Sequence, residues 1–181
     1  MKTESTVKFV LRLALTLLII TSVVAVALAG VNMITEPAIE ALNAQKTQDA
    51  IEMVLPGGGD EIEFPATPLV SKVYGSDTGY AVEVTPGGFD NTITMMVGVD
   101  KAGTVLGISI IKHTETAGLG AVAAAGTPAG ESFRGQFVGA SDSVAVTKDG
   151  GDMDAITGAT ITSRAICAGV NAALECVAAM G

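Results

Sequence analysis

The sequence predicts an α+β domain that follows a single membrane-spanning helix. An uncharged apolar stretch lies near the N-terminus, alternating apolar residues fill the middle of the chain, and helical spacing returns at the C-terminal end. Strands that come first and helices that follow favour the α+β class. We expect a short N-terminus at residues 1–12, a transmembrane helix at 13–31, a connecting helix at 32–60 and the domain at 61–181.

The transmembrane helix is predicted from Leu13–Val31, which carries no charge. As a helix this stretch spans about 28 Å, close to the hydrocarbon thickness of a bilayer. The chain before it has a net charge of +2 from Lys2, Lys8 and Arg12 against Glu4. The positive-inside rule therefore places the N-terminus in the cytoplasm and the domain on the extracytoplasmic side of the cell (inner) membrane.

A cleaved signal peptide is the alternative for the same segment. A basic start, an apolar run and the small-residue site Ala27-Leu28-Ala29 are typical of one. Both interpretations stay open at this point, and both put the domain outside the cytoplasm.

The charge of the remaining chain excludes one class of partner. Seven Lys or Arg stand against eighteen Asp or Glu after Arg12, a net charge of −11. An acidic domain of this kind repels nucleic acid, so we expect no nucleic-acid partner.

The connecting helix is predicted at Thr35–Leu55. Thr35 is its candidate N-cap, Pro37 lies in its first turn and Pro56-Gly57-Gly58-Gly59 ends it. Period-two alternation then predicts two pairs of strands, at Leu69–Tyr74, Tyr80–Thr85, Thr92–Val99 and Val105–Lys112. The rest of the domain is predicted as a short helix around Glu131–Val138, a strand at Ser143–Thr147 and a helix at Ile161–Met180.

The two cysteines, Cys167 and Cys176, both fall in the last predicted helix. Nine positions place them on opposite faces and about 13 Å apart along the axis, whereas a disulfide needs Cα atoms within about 7 Å. We expect both to be small buried packing residues and to form no metal site.

The first segment that suggests chemistry leaves a predicted strand and enters a glycine-rich turn. Gly118 and Gly120 allow close backbone approach to a ligand. One histidine and one glutamate are too few for a metal site or a catalytic triad. The segment reads His113, Thr114, Glu115, Thr116, Ala117, Gly118, Leu119, Gly120.

The second segment precedes the last predicted helix. Backbone N–H groups at a helix start attract phosphate, and small residues leave Thr160 open. From the residues alone, simple helix capping is the more ordinary explanation of the same hydroxyl-rich composition. The segment reads Asp154, Ala155, Ile156, Thr157, Gly158, Ala159, Thr160, followed by Ile161, Thr162 and Ser163.

Asp-x-x-Thr-Gly-Ala-Thr resembles the flavinylation motif of proteins that carry FMN through a phosphoester bond to threonine. The resemblance implies that Thr160 is the acceptor and that a separate flavin transferase attaches FMN taken from FAD. The segment from His113 to Gly120 is similar to the family's His-x-Glu-Thr-Pro-Gly-Leu-Gly loop, which lies against the flavin. Ala117 stands where the family usually has proline, so one restraint on the loop is lost.

The resemblance extends over nearly the whole chain and is strongest to the G subunits of Rnf-type ion-translocating ferredoxin:NAD oxidoreductase complexes. The C subunits of sodium-pumping NADH:quinone reductases are related to them. This implies an electron-transfer subunit of a redox-driven translocase, with other membrane and peripheral subunits as partners and no catalytic residue besides the flavin. The alternatives are a free-standing membrane-anchored flavoprotein that serves a separate reductase, and a membrane-bound redox sensor. The cofactor-binding residues implied are Thr160, Asp154, Thr157, Gly158, Ala159, Thr162, His113, Glu115, Thr116, Gly118, Leu119 and Gly120.

Overall fold

A computed structural model describes residues 3–180, with side-chain environments from residue 7 onward. The chain forms two compact units, residues 1–44 and 45–181. Within residues 3–180, three helices and five strands follow one another in the order α1 (Thr3–Val54), β1 (Asp60–Ile62), β2 (Val70–Gly75), β3 (Gly79–Val84), β4 (Thr94–Asp100), β5 (Val105–Lys112), α2 (Pro128–Gly135) and α3 (Thr160–Met180). Short 3₁₀ turns lie at Gly120–Ala124 and Thr147–Asp149.

The first unit holds α1 as far as Ala44, and the apolar side chains of this helix from Val7 to Ile34 are exposed. The separate connecting helix that the sequence predicts does not form, because α1 runs on through Pro37. Thr35 is not an N-cap. Its hydroxyl donates to the carbonyl of Val31 at 3.0 Å, as threonine does inside a helix. The proline removes one backbone donor, and the helix continues on both sides of it.

Within the described residues, two helices are long and apolar enough to span a membrane, α1 from Val7 and α3. Within its unit α3 is a core helix: 61% of its apolar window is buried, whereas the window in α1 is fully exposed. The exposed apolar helix is compatible with a membrane anchor.

The second unit contains one antiparallel sheet in the order β1-β2-β3-β4-β5. Each strand pairs with the next, and β5 occupies the predicted residues, with β2 to β4 shifted by one or two positions. β1, three residues long, was not predicted. The predicted α+β class is confirmed.

Helices cover both faces of this sheet. On one face Val82, Val97 and Ile108 pack against α3 and the α2 region, where Phe133 and Phe137 meet edge to face. The other face is covered by residues 50–55 of the second unit, at and just after the end of α1. They pack on Ala81 and Met96 through Ala50, Ile51, Val54 and Leu55. The sheet thereby fixes where β5 ends and where α3 begins, and these two points border the site.

The predicted strand at Ser143–Thr147 is wrong. Val146 makes one isolated bridge to Met153, and the segment lies on α3 instead of on a sheet. Asn171 takes the place of a neighbouring strand, because its side-chain amide accepts from the N–H of Val144 at 2.8 Å and donates to its carbonyl at 2.9 Å. Both backbone groups of Val144 are satisfied without a sheet.

Candidate functional site

The two segments singled out from the sequence meet at one cavity of about 350 Å³, a volume typical of small-molecule sites. Eight of the predicted residues line it, four from each segment: Glu115, Thr116, Leu119, Gly120, Gly158, Ala159, Thr160 and Thr162. Three further lining residues were not predicted: Phe89, Lys148 and Ile161.

A tight turn delivers the chain into α3. The N–H of Ala159 donates to the carbonyl of Ile156 at 2.9 Å, and Gly158 has a φ of +77°. A Cβ at Gly158 would lie 3.0 Å from the side chain of Leu119, so the turn and the other loop are in close contact. The left-handed backbone favours glycine here, and an added Cβ would also press on the end of the Leu119 side chain.

Ser163 holds the turn from inside. Its buried hydroxyl accepts from the N–H of Ile156 at 3.0 Å and donates to the carbonyl of Ala159 at 3.0 Å. A hydroxyl used in both directions within the fold is a structural residue. The hydroxyl of Ser163 is therefore not open to a ligand.

Thr160 is the first residue of α3 and is half-buried at the cavity. The ammonium group of Lys148 donates to its Oγ1 at 3.2 Å. At this position the unpaired N–H groups of the first helical turn are close to the hydroxyl. Lys148 has no carboxylate partner within ion-pair distance in the part of the chain that the structure describes.

Lys148 is placed by its neighbour. Asp149 and Arg164 form a two-pronged ion pair, with Nε and one terminal nitrogen of Arg164 each 2.6 Å from a carboxylate oxygen. Arg164 lies in the first turns of α3, so the 3₁₀ turn that carries Lys148 is fastened beside Thr160. The hydrogen bond from Arg164 lowers the pKa of Asp149. The carboxylate next to Lys148 in the sequence is therefore already paired, and the ammonium group stays available to an anion.

Glu115 lies at the base of the cavity and is 8% exposed. One of its oxygens accepts from the N–H of Phe89 at 2.8 Å and from that of Asp90 at 3.4 Å. The other accepts from the hydroxyl of Thr162, which is 2% exposed. Three chain segments, the β3–β4 loop, the β5 exit and α3, are thus joined at one carboxylate.

The backbone leaves room for this carboxylate at two glycines. A Cβ on Gly88 would overlap one oxygen of Glu115, and a Cβ on Gly120 would overlap the other oxygen and the hydroxyl of Thr162. Neither glycine lies in a strand or an α-helix, and only the fold indicates that the same side chain occupies the space beside them.

Exposed apolar side chains form the walls of the cavity. Phe89 is 66% exposed, and Leu119 and Ile161 are also exposed. Large exposed apolar groups around a concave site are typical of ligand binding. The sequence has a turn signal before Phe89, in Pro86-Gly87-Gly88, and no sign that the turn closes over the site.

Four predicted residues do not line this cavity. Gly118, Asp154 and Thr157 border a neighbouring one of about 350 Å³ on the other side of the turn. The backbone of Asp154 pairs with the side-chain amide of Gln136, which fixes the start of the motif. His113 is half-buried, and its Nδ1 is buried without a hydrogen-bond partner among the described residues.

Among residues 3–180, no group of three or more His, Cys, Asp or Glu side chains could hold a metal ion. Both cysteines are buried in α3, which confirms their prediction as packing residues, and both thiols are free. Burial raises the pKa of Cys167 to about 11.

Comparison with known proteins places the site in a family. Residues 88–175 match the FMN-binding domain, a range that includes both loops, Phe89 and Lys148. The G subunit of the ion-translocating oxidoreductase complex of Methanosarcina acetivorans is 32% identical over 95% of this chain and 96% of its own length. The G subunit of the Na⁺-translocating ferredoxin:NAD⁺ oxidoreductase complex of Acetobacterium woodii is 34% identical over 93% and 91%. The corresponding protein of Vibrio cholerae is 41% identical over 57% of this chain and 51% of its own length. The resemblance noted in the sequence is thus confirmed, and the chain belongs to the family of G subunits of ion-translocating oxidoreductase complexes.

Proposed function

We propose that this chain is the electron-transfer subunit of an Rnf-type ion-translocating oxidoreductase complex and carries FMN covalently, through a phosphoester bond to Thr160. The observation that carries the proposal is the position of the Thr160 hydroxyl. It lies at the start of α3, 3.2 Å from the Lys148 ammonium group, in a cavity with apolar walls. Such a site suits a ligand with one anionic end and one flat apolar end.

The hydrogen-bond donors around Thr160 support the proposal that the ligand has an anionic end. A phosphodiester carries one negative charge, which the cation of Lys148 would balance. The first-turn N–H groups of α3 would add hydrogen bonds. These donors matter here because the domain as a whole carries a net negative charge, which by itself would repel a phosphate.

The apolar walls of the cavity support the proposal that the ligand has a flat apolar end. Phe89, Leu119 and Ile161 offer surfaces against which an isoalloxazine ring can pack, and aromatic stacking adds to the area that is buried. When it is bound, the flavin supplies one- and two-electron redox chemistry. The protein supplies the site, its orientation and its electrostatics.

Attachment is a group transfer to Thr160 in which one P–O bond forms and another breaks. Its Oγ attacks the flavin-side phosphorus of FAD, a P–O–Cβ linkage forms, and the P–O bond to the AMP phosphate breaks. AMP leaves, and the hydroxyl proton passes to a base of the flavin transferase. The exposed position of Gly158 and Thr157 gives such an enzyme access to the turn.

The anchor and its side of the membrane are part of the proposal. The exposed apolar surface of α1 and the cationic N-terminal residues support a single retained span with the domain outside the cytoplasm. A covalent tether then prevents loss of a flavin that is made in the cytoplasm. A reporter fused to the C-terminus should be active only outside, whereas a mature N-terminus near Gly30 would exclude the anchor.

A single helix offers no path for an ion, so coupling to ion transport requires multi-span partner subunits. Deletion of this chain should abolish electron transfer through the complex. Full activity of a complex without it would contradict the assigned role.

Peptide mass spectrometry tests the attachment directly. The wild-type chain, produced together with a flavin transferase, should carry an FMN phosphate on Thr160 and fluoresce in a denaturing gel. Thr160→Ala should lose both signals and remain folded. A flavin on Thr157 or Thr162, or a fluorescent Thr160→Ala protein, would overturn the assignment.

A further inference from the structure

Glu115 is a buried charge without a cation. Its carboxylate accepts from two backbone N–H groups and one hydroxyl, and no Lys, Arg or His lies within ion-pair distance of it in the described chain. Three donors directed at one carboxylate suit its ionised form, which only accepts. The fold therefore maintains a negative charge beneath the cavity and satisfies it with dipoles.

Structural linkage alone does not require a charge at this point. An amide would join the same segments, because its oxygen accepts from the N–H of Phe89 and its nitrogen can donate to the hydroxyl of Thr162. Burial of an ionised group is costly, and unpaired buried charges are concentrated at functional sites. The charge therefore calls for a role that an uncharged linker could not fill.

We propose that Glu115 is a positioning residue whose buried carboxylate lowers the reduction potential of the flavin, an inference that rests on the proposed attachment at Thr160. Glu115, Thr160, Phe89 and Leu119 line the same cavity, so a flavin held there by Thr160 would lie near the carboxylate. Each electron adds negative charge to the ring unless a proton follows it. A fixed negative charge nearby makes that addition less favourable, and burial limits its screening by salt.

The same side chain holds the aromatic wall. The N–H of Phe89 is bound by Glu115 while the phenyl ring is 66% exposed, so the backbone of the loop is fixed and its ring faces the opening. Glu115 therefore contributes both the negative charge and the hydrogen bond that holds Phe89 in place. Two substitutions separate these two contributions. Glu115→Gln removes the charge and keeps the hydrogen-bonding geometry. Thr162→Val keeps the charge and removes one donor.

The test is spectroelectrochemical titration of the flavinylated, full-length chain. We expect Glu115→Gln to retain the adduct and to favour the reduced flavin by about tenfold at a fixed potential, a rise of about 59 mV for a one-electron couple. Thr162→Val should lower the potential, because the negative charge loses one of its compensating donors. Glu131→Gln, which removes an exposed charge from the first turn of α2, is the matched control and should leave it unchanged.

The outcomes separate the two proposals. A wild-type chain without flavin on Thr160 would refute the proposed function. A flavinylated Glu115→Gln protein with an unchanged or lower potential would refute the role of Glu115. A folded Glu115→Gln protein that accepts no flavin would also refute it, because the residue would then act in attachment. If Glu115→Gln does not fold, Thr162→Val decides: a lower potential supports the role of the charge, and an unchanged or higher potential refutes it.

Discussion

Thr162 donates a hydrogen bond to Glu115 across 47 positions of the sequence, and neither side chain is more than 8% exposed. This bond ties the first turn of α3 to the loop that leaves β5. The two motifs are therefore one site because of a buried contact between them, while Thr160, two residues earlier, is left facing the cavity.

The bond predicts opposite outcomes at two neighbouring threonines. Thr162→Ala should keep the flavin adduct, because the acceptor hydroxyl is untouched. It should also lower the free energy of unfolding by about 1–3 kcal/mol, since a buried carboxylate loses a donor. Thr160→Ala should remove the adduct with a smaller loss of stability. Denaturant unfolding and intact mass on both variants check this, and loss of the adduct in a folded Thr162→Ala protein would contradict it.

Lys148 predicts a charge effect on attachment. Lys148→Gln should slow flavin incorporation at limiting FAD by about two- to fivefold, the effect expected of one exposed ionic contact. Lys148→Arg should retain most of the wild-type rate. Added salt should reduce the difference in incorporation rate between Lys148→Gln and wild type. The measurement is the initial rate of fluorescence gain with purified transferase. Lys101→Gln, in the β4–β5 turn away from the cavity, is the control.

Much of the fold follows from local patterns, because β5 and α3 each carry a strong period and clear end signals. The strand at Ser143–Thr147 was wrong because Asn171, 27 positions away, supplies the hydrogen bonds that the pattern assigned to a sheet. The break before Thr35 was wrong because its hydroxyl bonds backwards into the helix. Local sequence carries no signal for Asn171, whereas the partner of Thr35, the carbonyl of Val31, lies only four positions earlier and competes with capping.

The residues of the site also fall into those that local sequence predicts and those that it does not. Thr160, Glu115 and their neighbours were found because they lie in two contiguous motifs. Phe89 and Lys148 were missed because each lies in an ordinary turn, and only the Glu115 hydrogen bond and the Arg164 ion pair bring them to the cavity. The resemblance implies Thr160 as the acceptor that we propose, and the structure adds a cation and an aromatic wall beside it.

The buried thiol of Cys167 predicts a dependence of stability on alkaline pH. Its pKa is raised by burial from 9.0 to about 11, so folding favours the protonated thiol. This contribution is fully present below pH 9 and is lost as the pH rises through about 11. Cys167→Ala should show a shallower fall in the unfolding free energy across this range. An equally steep fall in that variant would assign the effect to other groups.

Gly158 provides a test of the turn that presents Thr160. Its φ of +77° is costly for any residue with a Cβ, by about 1–2 kcal/mol, and the added Cβ would press on Leu119 at 3.0 Å. We expect Gly158→Ala to lower the free energy of unfolding by about that amount and to slow flavin attachment, since the turn must shift from the other loop.

Gly135 supplies the matched control, because it lies in α2 with no atom within 4 Å of an added Cβ and without a positive φ. Gly135→Ala should be neutral or stabilising by up to about 1 kcal/mol, as expected for alanine in a helix, and should accept flavin at the wild-type rate. Chemical denaturation and the attachment assay on the pair give the comparison. Equal stability and equal attachment in the two variants would mean that the turn adapts to a side chain, and the close contact between Gly158 and Leu119 would then not determine how Thr160 is presented.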